Sequence, residues 1–132
     1  MPVIRALALV FCATNVAAQE TPVSPDVFLD LAENQTVTFM LDRTDLLVGE
    51  ERFINRERSV WTRSDGSCAM GDITVRGAKL CFVYDDDPGT NHCWLPFEET
   101  GELFVRSTVN GQVQRIAGME KRRLECLGEP LS

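Results

Sequence analysis

Residues 65–94 read DGSCAMGDITVRGAKLCFVYDDDPGTNHCW and contain three of the chain's five cysteines, its only histidine and its only tyrosine. Glycines recur along and beyond this stretch, at positions 66, 77, 89, 101 and 111, in steps of ten to twelve residues. Each step has room for one strand and one turn. Only hairpin connections are that short, because a parallel crossover needs about a dozen more residues. The spacing therefore predicts an antiparallel meander.

The strands of this meander are predicted from short runs rich in β-branched and aromatic residues. The runs span residues 36–40, 51–54, 59–63, 73–75, 80–84, 93–97, 103–109 and 124–127. We predict a mainly β fold, an antiparallel meander of about eight short strands that forms a small closed or partly open barrel. Closure would remove exposed sheet edges. A two-sheet sandwich is the alternative.

The first residues have the layout of a secretory signal. Arg5 precedes a short apolar stretch over residues 6–13, and the small residues Val16, Ala17 and Ala18 follow. The apolar stretch is too short to span a bilayer. We predict a signal peptide over residues 1–18, cleaved near Ala18, and a periplasmic or secreted protein without stable membrane insertion.

Residues 19–34 are predicted to form a lead-in and one short N-terminal helix, and residues 35–132 a single β domain. The helix start is indicated by a capping serine, a proline in the first turn and an aspartate near the positive end of the helix dipole: Ser24, Pro25 and Asp26. Helical spacing places Val27, Phe28 and Leu31 on one side. This side is expected to dock on apolar surface, because so short a helix is not stable alone.

The charge balance excludes some partners. The chain carries 20 acidic and 13 basic residues, a formal net charge of −7. Loss of Arg5 with the signal peptide would change this to −8. Nucleic acids and anionic membranes are bound by clustered Lys and Arg, so neither is an expected partner. The basic residues 121–123 are predicted to lie on a solvated strand edge.

Four cysteines remain after the predicted cleavage, and in an exported chain an even number indicates two disulfides. If the hairpin loop is centred on Asp87, Cys81 lies opposite Cys93 and can form a cross-strand disulfide. Cys68 is then left for Cys126 in the last strand. A metal site is less favoured, because the chain has no Cys-x-x-Cys pair.

No catalytic, cofactor or metal residue is predicted. His92 adjoins Cys93, but a histidine-dependent nucleophile also needs a free Ser, Thr or Cys and an orienting carboxylate. Asp85, Asp86 and Asp87 place several oxygens in one loop, which raises the question of calcium. The loop lacks EF-hand spacing and a closing glutamate, so a solvated turn is favoured over a calcium site.

Aromatic residues give the one candidate surface for a ligand or partner. The same hairpin register places Leu80, Phe82, Tyr84 and Trp94 on one face, with His92 opposite Phe82. These aromatics are expected to fill the core of a small barrel. The alternative is a barrel mouth lined by Trp61, Tyr84 and Trp94 that holds a small apolar ligand, and His92 is included in this candidate ligand or partner surface.

Several short motifs carry a resemblance. They are Asp65-Gly66-x-Cys68-x-x-Gly71, Gly77-x-x-x-Cys81-Phe82-x-Tyr84 and Cys93-Trp94, preceded by Gly49-Glu50-Glu51-x-Phe53 and Arg58-x-x-Trp61. From Val27 to Cys126 the chain resembles small exported alphaproteobacterial proteins of unknown function, although Ile73 stands where an aromatic residue is expected. The resemblance implies a periplasmic setting and supports the disulfides, and it implies no activity.

The leading function hypothesis is non-catalytic binding of a periplasmic protein or a small apolar ligand. Two alternatives stay open at this point. One is a hydrolase that uses carboxylates from the loops. The other is a purely structural component of the cell envelope.

Overall fold

The computed structural model describes residues 1–4, 6–13 and 18–126. Its elements, in chain order, are β1 (Thr21–Pro22), α1 (Pro25–Ala32), β2 (Thr36–Leu41), β3 (Leu47–Phe53), β4 (Arg58–Arg63), β5 (Cys68–Arg76), β6 (Lys79–Tyr84), β7 (Asp87–Glu99), β8 (Glu102–Ser107) and β9 (Val113–Glu120). The predicted signal peptide includes Arg5 and residues 14–17, which lie outside the described residues. Its cleavage near Ala18 stays a prediction.

Strands β2 to β9 form a closed antiparallel barrel. Each strand pairs with the next along the chain, and β9 pairs with β2 to close the sheet. The short β1 pairs antiparallel with the C-terminal part of β7, where Thr21 lies opposite Glu98. The predicted antiparallel meander is confirmed in its closed form, and the sandwich alternative is wrong.

The last barrel strand is not the predicted one. It runs over Val113–Glu120, whereas residues 124–126 form no strand and Leu127 lies outside the described residues. After β9 the chain crosses the outer surface of the barrel, where the Thr36 hydroxyl donates a 2.6 Å hydrogen bond to the carbonyl of Arg122. Arg122 also forms an ion pair with Glu50 on β3. The basic residues 121–123 therefore follow the sheet and do not lie on a strand edge.

Four of the five predicted turn glycines have the positive φ that glycine adopts without strain: Gly66, Gly77, Gly101 and Gly111. Gly89 instead lies within β7. The β6–β7 turn is formed by Asp85 and Asp86, and a shift in strand register follows it. This shift restores the predicted pairs, Leu80 with Trp94, Cys81 with Cys93 and Phe82 with His92. The predicted loop centre at Asp87 was wrong, but the predicted register of β6 and β7 was correct.

Both predicted disulfides are present. Cys81 and Cys93 join neighbouring strands with their Cα atoms 4.1 Å apart. Cys68 and Cys126 have Cα atoms 5.6 Å apart and fix the chain after β9 to the start of β5. Cys126 lies outside the sheet, so this disulfide joins a strand to the crossing segment and not to another strand. In the described part of the chain, no helix has the length and apolar character needed to cross a membrane.

Helix α1 packs at the end of the barrel where β3 leads into β4. Its cap is as predicted, since the Ser24 side chain accepts a hydrogen bond from the amide of Val27. The buried residues, however, are Pro25, Phe28, Leu29 and Ala32, while Val27 and Leu31 are exposed. The predicted docking side was therefore correct only for Phe28. The Phe28 ring contacts the ring of Phe53 inside the barrel, with the ring centres 6.0 Å apart.

Candidate functional site: the barrel cavity

The barrel encloses a cavity of about 340 Å³. This volume is at the small end of the range for pockets that hold small molecules. Six aromatic side chains line it, namely Phe28, Phe39, Trp61, Phe82, Tyr84 and Trp94. The polar residues that line it are Glu51, Arg63, Asp86, Asp87, His92 and Gln114. The cavity thus combines an aromatic wall with a small set of polar groups, as ligand pockets commonly do.

The cavity opens at the barrel end opposite α1, and we call this opening the mouth. Most charged residues of the lining lie there. Arg63 ends β4, and the Asp85–Asp86 turn joins β6 to β7 at the same end. Arg63 Nη2 and Asp86 Oδ2 lie 2.6 Å apart in a partly exposed ion pair. His92 Nε2 lies 3.9 Å from Asp87 Oδ2 and would form an ion pair only when protonated.

The three adjacent aspartates have different partners. Asp85 accepts a hydrogen bond from the amide of Met70, Asp86 binds Arg63, and the Asp87 carboxylate lies near His92. Within residues 1–4, 6–13 and 18–126, no group of three or more acidic, histidine or cysteine side chains could hold a metal ion. The calcium alternative therefore gains no support from the geometry of this loop.

Glu51 is the most unusual group in the lining. It lies on β3 between Gly49 and Phe53, and period-two alternation turns all three toward the interior. Its side chain is only 2 % exposed. The Tyr84 hydroxyl donates a 3.0 Å hydrogen bond to Glu51 Oε2. The other carboxyl oxygen, Oε1, makes no hydrogen bond to any described residue, and neither does the buried hydroxyl of Ser59.

Burial raises the pKa of Glu51 from 4.5 to about 8, because an ionised carboxylate is poorly solvated inside the barrel. The neighbouring hydroxyls of Ser59 and Tyr84 act in the opposite direction, although Ser59 does not reach full hydrogen-bond geometry. Burial, and then the adjacent Glu51, also raise the pKa of Tyr84. At neutral pH the cavity wall therefore contains a neutral carboxylic acid beside a neutral phenol when no ligand is bound.

Two glycines make room for the aromatic wall. A Cβ atom at Gly49 would lie 2.5 Å from the indole ring of Trp61. At Gly71 it would lie 2.7 Å from Ser59 Oγ and 3.0 Å from the ring of Tyr84. A side chain at either position would push an aromatic ring into the cavity or distort the strands. Both glycines belong to the motifs that carry the resemblance.

The four residues predicted as a ligand or partner surface, Trp61, Tyr84, His92 and Trp94, all line this one cavity. The sequence interpretation missed Glu51, Arg63 and Gln114. A signal for Glu51 was present, because alternation places it on the same strand face as Phe53. Gln114 could not be found, because β9 was not predicted.

No model of a known protein family, no curated protein and no solved structure matches the chain.

Proposed function

We propose that the protein is a non-catalytic binding protein that holds a small ligand inside the barrel, in a compartment outside the cytoplasm. The cavity carries this proposal, because small eight-stranded barrels either fill their interior with side chains or hold one small ligand. Here about 340 Å³ stays free of side chains behind a polar mouth.

The compartment is supported by the disulfides and by the first residues of the chain. Cys81–Cys93 and Cys68–Cys126 are typical of proteins that fold in an oxidising environment, since cytosolic thiols are kept reduced. The predicted signal peptide over residues 1–18 and the resemblance to exported proteins agree with this location. We therefore propose a periplasmic or secreted location.

Ligand binding can be tested through the chain's own fluorescence, because both tryptophans, Trp61 and Trp94, line the cavity. We expect titration with the neutral apolar dye N-phenyl-1-naphthylamine to quench tryptophan emission and to increase dye emission. Val105→Phe adds a ring to a buried residue of the lining and should weaken dye binding at least about tenfold.

The matched control is Val83→Phe, which adds the same ring one position from Phe82, on the outward face of β6. It should leave the dye affinity within about twofold. Near-ultraviolet circular dichroism would check that both variants are folded. Absence of dye binding, or equal binding by two folded variants, would contradict the proposal.

The hydrolase alternative has one supporting observation. Glu51 is a buried carboxyl with a raised pKa, as a general acid requires, and Asp86 and Asp87 line the same cavity. Asp86, however, is already bound to Arg63. Hydrolysis predicts turnover of a chromogenic glycoside or ester that Glu51→Gln abolishes, whereas binding alone predicts none.

A further inference from the structure

We infer that the cavity binds a small protonated amine with an apolar or aromatic body, and that Glu51 is the group that receives the ammonium. This inference rests on the proposed binding function and specifies the chemical class of the ligand.

The first observation is a buried carboxyl oxygen without a hydrogen-bond partner. Glu51 Oε1 is buried, lines the cavity and makes no hydrogen bond to any described residue, while Tyr84 binds the other oxygen. Nearly all buried polar atoms in folded proteins have a partner, so an unpaired carboxyl oxygen in a cavity wall indicates a missing hydrogen-bond partner. An ammonium group supplies three donors and a charge opposite to that of a carboxylate.

The aromatic wall is the second observation. Trp61 lies opposite Glu51 in the β3–β4 pair, and Tyr84 contacts Glu51 directly. Aromatic faces attract cations, and Trp most strongly. The same rings give an apolar surface to the rest of the ligand. A carboxyl group among aromatic rings suits an amine better than it suits a purely apolar molecule, which would leave Oε1 unpaired.

The charges at the mouth favour a cation over an anion. Among the described residues that line the cavity, Arg63 is the only Lys or Arg, and Asp86 neutralises it. Asp87 adds a further negative charge at the same opening. The whole chain carries a net charge of −7. A potential of this sign attracts cationic ligands and repels anionic ones.

Binding should release a proton. Without a bound ligand, Glu51 is protonated below about pH 8 because it is buried, and a bound ammonium would favour the carboxylate instead. The ionisable and charged groups that face the cavity from the surrounding elements are Arg63 on β4, Tyr84 on β6, Asp86 in the following turn, and Asp87 and His92 on β7. Tyr84 stays neutral across this range, since its pKa is raised above its usual value.

Isothermal titration calorimetry with 2-phenylethylamine and its uncharged analogue 2-phenylethanol tests the inference. We expect the amine to bind more tightly at pH 8 and to release about one proton at pH 6, measured from the heats in two buffers of different ionisation enthalpy. Its affinity should rise roughly fiftyfold from pH 6 to pH 8, as the proton on Glu51 is lost. The affinity of the alcohol should not change with pH.

Glu51→Gln keeps the shape of the side chain and removes its charge. We expect it to weaken amine binding about ten- to a hundredfold at pH 8, to abolish proton release and to leave alcohol binding unchanged. The matched control is Glu57→Gln, because Glu57 is exposed and its side chain makes no hydrogen bond to a described residue. This control should bind the amine as the unmodified protein does.

Tyr84→Phe is a second variant that retains the carboxyl group. Loss of its hydroxyl removes the hydrogen bond that favours the charged form of Glu51, so the rise in amine affinity should move to higher pH. Equal affinities for amine and alcohol, or amine binding without proton release, would overturn the inference and leave the proposed function standing. If no amine binds, the inference also fails. If the naphthylamine dye does not bind either, the proposed function fails with it.

Discussion

The two ends of the barrel interior are filled differently. At the end that α1 covers, Phe28 and Phe53 are fully buried, and the ring of Phe53 also packs edge-on against Phe82 at 6.0 Å. At the other end the interior opens into a cavity that contains a buried glutamate and an exposed ion pair. One end is filled by side chains and the other leaves space for a small ligand, and small barrels use their interior in both of these ways.

This contrast assigns different tasks to the two ends. Buried aromatic side chains contribute strongly to stability through their large apolar area. A buried carboxyl with an unpaired oxygen reduces stability instead, because burial removes its hydration. Proteins keep such groups mainly where a site needs them. The end next to α1 therefore stabilises the fold, while the open end contains the proposed binding site.

The largest expected effect tests the stabilising end. Phe53→Ala should reduce the free energy of unfolding by about 3–5 kcal/mol, because it leaves a cavity between α1 and the barrel. Trp61→Ala removes a larger ring, but that ring lines the cavity and is not packed against side chains on all sides, so we expect a smaller loss. Urea denaturation measures both. An equal or larger loss for Trp61→Ala would contradict the contrast between the ends.

The second prediction concerns the effect of pH on stability. In the unfolded chain Glu51 ionises near pH 4.5, but in the folded protein it ionises only near pH 8. Between these values the folded state holds a proton that the unfolded state has lost, so Glu51 lowers stability as pH rises. It should have no such effect below pH 4.5, and its destabilising effect should be complete above pH 8.

Glu51→Gln removes this dependence. Its stability relative to the unmodified protein should therefore increase by roughly 1 kcal/mol per pH unit between about pH 5 and pH 8. Denaturation curves at pH 5, 6, 7 and 8 measure the difference, with Glu57→Gln as the exposed control. Parallel pH profiles for the unmodified protein and Glu51→Gln would mean that Glu51 is not protonated in the folded state.

The repeating part of the fold could be predicted from the sequence. Glycines at regular spacing mark most of the turns, and strand alternation places Cys81 opposite Cys93. The prediction failed where local pattern and tertiary packing disagree. In β9 the inward residue near the mouth is the polar Gln114, so the alternation of apolar residues is weak there, and the local pattern favours residues 124–127 instead.

The site could be predicted only in part, for a related reason. The aromatic residues Trp61, Tyr84 and Trp94 were recognised because aromatic side chains are expected on an inward face. Glu51 was not recognised, because an acidic residue in the sequence GEERF resembles a solvated strand position. Its burial depends on Phe53 and Gly49 sharing its strand face and on the hydroxyl of Tyr84, which is 33 residues away. The alternation with Gly49 and Phe53 is a local signal, but the contact with Tyr84 has none.

The smallest expected effect concerns the ion pair at the mouth. Asp86→Asn removes the 2.6 Å contact with Arg63, and Asp72→Asn removes the 2.6 Å contact with Arg58 on the outer surface. Both pairs are partly exposed, so each should contribute less than about 1 kcal/mol and lose even that at high salt. Thermal denaturation at low and high salt measures both. A loss above about 2 kcal/mol for Asp86→Asn alone would mean that the mouth also stabilises the fold, and the division of tasks between the two ends would then be wrong.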